Sequence, residues 1–353
     1  MLISYCIGLI LINYIASYYG KKPKIIILLN FILMFVLISG YFEGVDIFNY
    51  RYSYFRVGSG YDGNFKTDVG YHMLEILFAR NGVDFFVFKK VLTFAGLLLF
   101  FIGVSRLSYN PCYVYATYLL YQVVMDTIQF RNFLGFCVLM FALPFLFKEN
   151  KKSHIIYAIL IVIAGSFHFV MCWYLLFLLK DNKYVYRIAI GISVLFIGAT
   201  ALNNMRVPFI HTFMKWLDMG IDAYVDGISS FAFLLPVFTL IYYIYIFRFF
   251  SNRSDRYEYK VILKIDYISL FAIPFCFMSF QWYRIIRNLN MLNYCEISNL
   301  KKVAKKSLMR KYILILSFAV MAIWMYAEFI RFVGWDSVMT IFENNIYIVE
   351  NYS

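Results

Sequence analysis

Three arginines stand where an apolar chain gives no reason for them. Arg131 sits within DTIQFRNFLGF (126–136), and Arg284 and Arg287 open RIIRNLNMLNYCEISNL (284–300). A spacing of three places Arg284 and Arg287 on one face of a helix. Guanidinium is permanently charged and presents a planar fork of N–H donors that matches phosphate oxygens. Arginines at the rim of a membrane therefore suit the diphosphate of a lipid-linked substrate, whereas a lone one also serves as an interfacial anchor. The nearest carboxylate before Arg131 in the chain is Asp126, a candidate to orient it. His168, in GSFHFVMCW, is an imidazole able to accept a proton near neutral pH, or else a packed structural histidine.

Other polar groups weigh less. YFEGVDIFNYRYSYF (41–55) mixes flat aromatic faces with Asp46, Glu43 and Arg51, a combination that suits carbohydrate. Asp218, Asp222 and Asp226 align at helical spacing, where a solvated acidic face is the simpler reading than a cation site. His154 lies beside a basic loop and reads as structural, while His72 and His211 have no distinguishing context. GSGYDG (58–63) is a turn cluster, not a phosphate cradle, because no strand precedes it and no Gly-Lys-Ser/Thr follows. No His, Cys or carboxylate pair has zinc spacing. The six cysteines read as small buried hydrophobes.

The elements that must position these groups follow from composition. Of 353 residues, 63% are hydrophobic and only 15% charged, with a mean hydropathy of +0.70. A soluble chain averages roughly half apolar and a quarter charged, so an all-α polytopic membrane protein is expected. Apolar runs predict twelve spans: 2–19, 25–41, 85–105, 111–127, 132–147, 154–167, 168–179, 184–201, 228–250, 265–281, 285–300 and 312–333. The first reads as a transmembrane helix, not a removable signal, because it lacks a basic leader and a cleavage site. No polar stretch is long enough for a soluble domain, so residues 1–353 read as one transmembrane domain.

Charge orients the spans. With KKPK (21–24) inside, the clusters at 148–152, 180–187, 253–260 and 301–311 fall on the same side. About 21 of the 33 Lys and Arg then lie inside, which accounts for the net charge of +13 without a nucleic-acid partner. The exterior face carries the loops 42–84 and 202–227 and the tail 334–353. It also carries Arg131, Arg284, Arg287 and His168. The asparagine-rich helix 285–300 has no clean lipid face and must be enclosed or line a wet cleft.

These residues resemble the EpsG-type family of membrane polysaccharide polymerases, the group that includes many Wzy O-antigen and capsule polymerases. The similarity runs through EGVDIFNYRYSY (Gly44, Asp46, Tyr50), TDVGYHMLEILF (Asp68, Gly70, Tyr71), IQFRNFLGF (Arg131), GSFHFVMCW (Phe167, His168) and QWYRIIRNLNMLNY (Arg284, Arg287). Near the end, Glu350-Asn351-Tyr352 stands where the family usually has Pro-Tyr. The resemblance implies a GT-C-like glycosyltransferase architecture. It implies undecaprenyl-diphosphate-linked oligosaccharides as substrates and an active site on the outer face of a bacterial cytoplasmic membrane. Neither nucleotide sugar nor metal is required, and a chain-length regulator and a flippase are expected partners. Arg131, Arg284 and Arg287 would then bind the donor diphosphate. Asp46, Glu75 and His168 are the candidates for the general base, with Asp46 and His168 preferred. Tyr50, Arg51, Asp68, Tyr71 and Glu75 are the expected substrate contacts. Two other classes share parts of this pattern. One is a lipid-linked oligosaccharide flippase, and the other is an O-antigen ligase or membrane acyltransferase.

Overall fold

A computed structural model describes residues 2–61, 67–203, 234–253, 256–278, 282–299, 307–329 and 334–349. Nearly all of these are helical, and no strand occurs among them. In lipid a helix satisfies its own backbone, so a chain this apolar has little alternative.

Two compact units partition the chain: residues 1–172 with 294–353, and residues 173–293. The first unit contains α1 (Leu2–Tyr18), α2 (Lys24–Gly40), α3 (Val45–Gly58), α4 (Val69–Ala79) and α5 (Phe85–Leu107). It continues with α6 (Pro111–Thr117), a π-helical turn (Tyr118–Gln122), α7 (Val123–Ile128), α8 (Phe130–Leu146) and α9 (Lys151–Phe167). A 3-10 helix (Phe169–Leu179) follows and runs into the second unit, which holds α10 (Lys183–Asn203), α11 (Leu234–Ser251), α12 (Tyr257–Ser269) and α13 (Ala272–Met278). Helix α14 (Tyr283–Ser298) leads from the second unit back to the first, where α15 (Ser307–Tyr326) and α16 (Trp335–Glu343) lie.

The expected apolar runs coincide with helices, with three informative exceptions. The stretch 111–127 is broken by the π-helical turn, an irregularity common near functional sites. The stretch 168–179 is a 3-10 helix, whose rise of roughly 2 Å per residue stretches a short segment further than an α-helix would. The stretch 265–281 is divided between α12 and α13, with a turn at Leu270 and Phe271. Phe85–Leu107, Leu234–Ser251 and Tyr312–Phe329 are long and apolar enough to cross a membrane by themselves.

The first unit is built on α8, which packs between α5 and α9, while α2 lies on α5 and α1 on α6. Small residues set the approach. A Cβ on Gly103 would come within 2.4 Å of the Met140 carbonyl oxygen, so only glycine lets α5 and α8 meet there. In the second unit α12 packs on α10 and α11. Asp181 receives Lys180 and Lys264 Nζ, each at 2.7 Å, fixing the turn before α10 to α12. Burial alone would raise the Asp181 carboxyl, but the two lysines hold it below its usual range.

The exterior segment 42–84 is not a loop. It holds α3, which ends in a turn at Ser59 and Gly60, and α4. The tail also has structure. Asn345 Nδ2 donates to the Val36 carbonyl at 2.8 Å and Ile346 N–H to the Gly40 carbonyl at 2.9 Å, so the chain after α16 caps the end of α2. The exterior segment 202–227, with His211 and the three aspartates, lies outside the described residues beyond Asn203, as does Glu350-Asn351-Tyr352.

Candidate active site

Asp68 is the hub of the site. It precedes α4 with φ +56°, the only non-glycine residue with positive φ among the described residues. Aspartate tolerates this left-handed conformation, at a cost of about 1–2 kcal/mol. The turn aims the carboxylate away from its own helix, where it makes no capping bond. Its Oδ1 accepts Phe169 N–H at 2.9 Å, at the start of the 3-10 helix. Its Oδ2 faces Arg131 Nη1 at 2.9 Å and His168 Nδ1 at 3.6 Å. Gly70 makes the approach possible, because a Cβ there would fall 2.2 Å from Ser166 Oγ on α9.

The electrostatics follow from this geometry. Burial works to raise the Asp68 carboxyl, leaving 6% of the side chain exposed. The neighbouring His168 imidazole, the Arg131 guanidinium and the Phe169 N–H overcome burial and hold it below the usual carboxylate range. Arg131 begins α8 just after a backbone break at Gln129, and 31% of its side chain is exposed. Its guanidinium carbon lies 5.1 Å from the Tyr50 ring centroid and 6.0 Å from that of Tyr71. Its Nε is buried and has no hydrogen-bond partner among the described residues. The two aromatic faces and one carboxylate therefore fix the fork while leaving part of it to solvent.

The carboxylate that holds Arg131 is Asp68 and not Asp126. Asp126 instead receives Tyr118 OH at 3.0 Å and Asn132 Nδ2 at 3.4 Å, bracing the π-helical turn against α8. His168 falls at the junction of α9 and the 3-10 helix.

A second imidazole–carboxylate pair stands one turn along α4. His72 Nδ1 is 2.6 Å from Glu75 Oε2, which also accepts Ser53 Oγ from α3 at 3.2 Å. Glu75 is fully buried, and its Oε1 has no hydrogen-bond partner among the described residues. The His72 and Tyr71 ring centroids are 5.9 Å apart, so Tyr71 neighbours both this pair and Arg131. Sequence reasoning passed over His72. Its i, i+3 relation to Glu75 was the available signal.

Asp46 lies in the first turn of α3, one turn before Tyr50, and is half-buried. Arg51 faces elsewhere, with its guanidinium carbon 5.6 Å from the ring centroids of both Phe55 and Phe86. Lys89 is a fully buried cation that sequence reasoning also missed. Its Nζ donates to the Tyr41 carbonyl that ends α2 and lies 5.8 Å from the Tyr41 and Phe130 rings. Nothing in its apolar surroundings marks it beforehand except its distance from the predicted inner face.

Arg284 and Arg287 belong to the second unit. Arg287 is fully buried and donates from Nη1 to Tyr283 OH at 3.2 Å. Asn288, Asn290, Asn293 and Glu296 are all buried, as the absence of a lipid face required. Asn293 Nδ2 donates to Asp266 Oδ1 at 3.0 Å, and the Asn290 amide has no hydrogen-bond partner among the described residues. Among the described residues no three His, Cys, Asp or Glu are grouped to hold a metal ion.

An all-helical membrane protein with a guanidinium, a carboxylate and an imidazole converging at the ends of its helices is the class so defined. The EpsG family model matches residues 24–340, and the chain belongs to that family. The family associates it with polysaccharide biosynthesis. Comparison with curated proteins and with solved structures gave no match.

Proposed function

We propose that the protein is a glycosyltransferase that polymerises oligosaccharide repeat units carried on undecaprenyl diphosphate, at the outer face of a bacterial cytoplasmic membrane. The products in view are O-antigen, capsule or exopolysaccharide. The single observation that carries this reading is the Arg131–Asp68 pair at 2.9 Å, flanked by Tyr50 and Tyr71, in a chain of the EpsG family. A fixed, part-exposed guanidinium is suited to a diphosphate and gains most where negative charge develops on the leaving group. Arg284 and Arg287 are assigned to the same diphosphate, and the twelve-span, GT-C-like architecture belongs to the same reading.

In the reaction, an acceptor hydroxyl oxygen bonds to the anomeric carbon of the donor chain. The bond from that carbon to the diphosphate oxygen breaks, and its electron pair leaves with the lipid diphosphate. The hydroxyl proton passes to a base, for which Asp46 and His168 are the groups expected from sequence. A flippase delivers the repeat units and a chain-length regulator limits the product.

The test is the glycan ladder of a strain lacking only this protein. Loss of long chains, with single-unit glycolipid accumulating at the outer face, is the expected result. Accumulation at the inner face would identify a flippase. Intact polymer not transferred to its final acceptor would identify a ligase. Either would overturn the proposal.

A further inference from the structure

Two imidazole–carboxylate pairs flank Tyr71, and they differ in charge. The Asp68 carboxylate of the first is neutralised by Arg131 at 2.9 Å. A proton added to His168 would therefore place two cations on one carboxylate. In the second pair, Glu75 has His72 as its ion-pair partner among the described residues, and protonating His72 gives a neutral couple. The buried Glu75 oxygen at 2.6 Å from Nδ1 fixes the ring and its tautomer, leaving Nε2 as the basic nitrogen. Ser53 holds the carboxylate from α3.

Several elements contribute groups around the pair. Tyr71 shares its helix, Tyr50 and Tyr54 come from α3, and Asp84 begins α5. Arg131 begins α8, and the Asp68–His168 contact lies at the start of α4. The His72 amide itself donates to the Asp68 carbonyl at 3.2 Å, joining the two pairs through the first turn of α4.

We propose that His72, oriented by Glu75, is the base that takes the proton from the acceptor hydroxyl in this transfer. His72 is the catalytic residue and Glu75 its positioning residue. The inference rests on the polymerase reading. The hydroxyl O–H bond breaks, its proton goes to His72 Nε2, its oxygen bonds to the anomeric carbon, and the lipid diphosphate leaves with the electron pair. The Arg131–Asp68–His168 group then serves the leaving diphosphate.

The experiment uses the full chain, returned to a strain lacking it, with the rate of polymer growth followed after a pulse of labelled sugar at external pH 5 to 8. Protein amounts are matched in the membrane, and the unfolding temperature of each purified variant is recorded. His72→Gln should slow growth about 100-fold or more, the usual contribution of a general base. Its residual rate should also lack the parent's fall on the acid side, which His168→Gln and Asp46→Asn should keep. Glu75→Gln preserves shape but removes charge, and should slow growth about tenfold with an unchanged unfolding temperature. Glu75→Asp should recover part of that rate. A His72→Gln rate within about twofold of the parent, while Arg131→Ala abolishes polymer, would overturn the base assignment and leave the polymerase reading standing. Normal ladders from Arg131→Ala would remove the polymerase reading instead. If His72→Gln fails to fold, Glu75→Gln decides, and an unchanged rate overturns the proposal.

Discussion

Arg131 Nη1 and Asp68 Oδ2 stand 2.9 Å apart, tying the first turn of α8 to the entry of α4. Removing either partner leaves the other charge largely buried. Arg131→Ala should abolish long chains and lower stability by about 1–3 kcal/mol, seen as a lower unfolding temperature in detergent. Arg131→Lys keeps charge but loses the fork, so short ladders should persist.

The same pair sets a pH dependence. The folded Asp68 carboxyl is held below its ordinary value of 3.8, chiefly by His168 and Arg131 against the effect of burial. Its stabilising contribution is therefore complete above that value and is lost as pH falls through the folded value. Acid unfolding followed by intrinsic fluorescence should show a transition below about pH 4 that is diminished in Asp68→Asn.

Gly70 tests the approach of α4 to α9. Gly70→Ala drives a methyl against Ser166, with Oγ at 2.2 Å and Cβ at 2.8 Å, and should cost about 1–3 kcal/mol. Ser166→Gly in the same chain removes both contacts, so the double variant should regain most of the lost unfolding temperature. A purely local backbone effect at Gly70 would leave the double variant as weak as the single.

Lys89→Met should loosen the end of α2. It keeps most of the side-chain volume but strands the Tyr41 carbonyl, at a cost of about 1–3 kcal/mol. Hydrogen exchange should rise selectively at residues 40–44 and 344–346, which join there.

The helices were legible because lipid forces a helical backbone and apolar runs mark its length, as α1, α2 and α5 show. Broken elements were less visible. The π-helical turn at Tyr118–Gln122 lies in a mostly apolar run with no Gly or Pro to mark it, and Asp126 contacts to Tyr118 and Asn132 brace it. Helices α3 and α4 were read as loop because charges interrupt their apolar pattern, yet they carry Tyr50, Tyr71 and Glu75. Within the site, Arg131 and His168 stood out by charge in apolar surroundings. Their common partner Asp68 could not be found by proximity in the chain, which pointed to Asp126. The chain shows His72 three residues before Glu75, but not that the two side chains meet at 2.6 Å.

The clasp between Asn345 and the end of α2 also has a consequence in time. Val36 and Asn345 are 309 positions apart, so a ribosome adding about 5–20 residues per second reaches the second about 15–60 s after the first. Throughout that interval the last carbonyls of α2 lack these partners and the strand of chain leading into α3 is unfastened. Helices α3 and α4 thus receive this anchorage only after Asn345 has been added. The junction of α2 with α3 is therefore completed only by a contact that reaches across 309 positions of the chain.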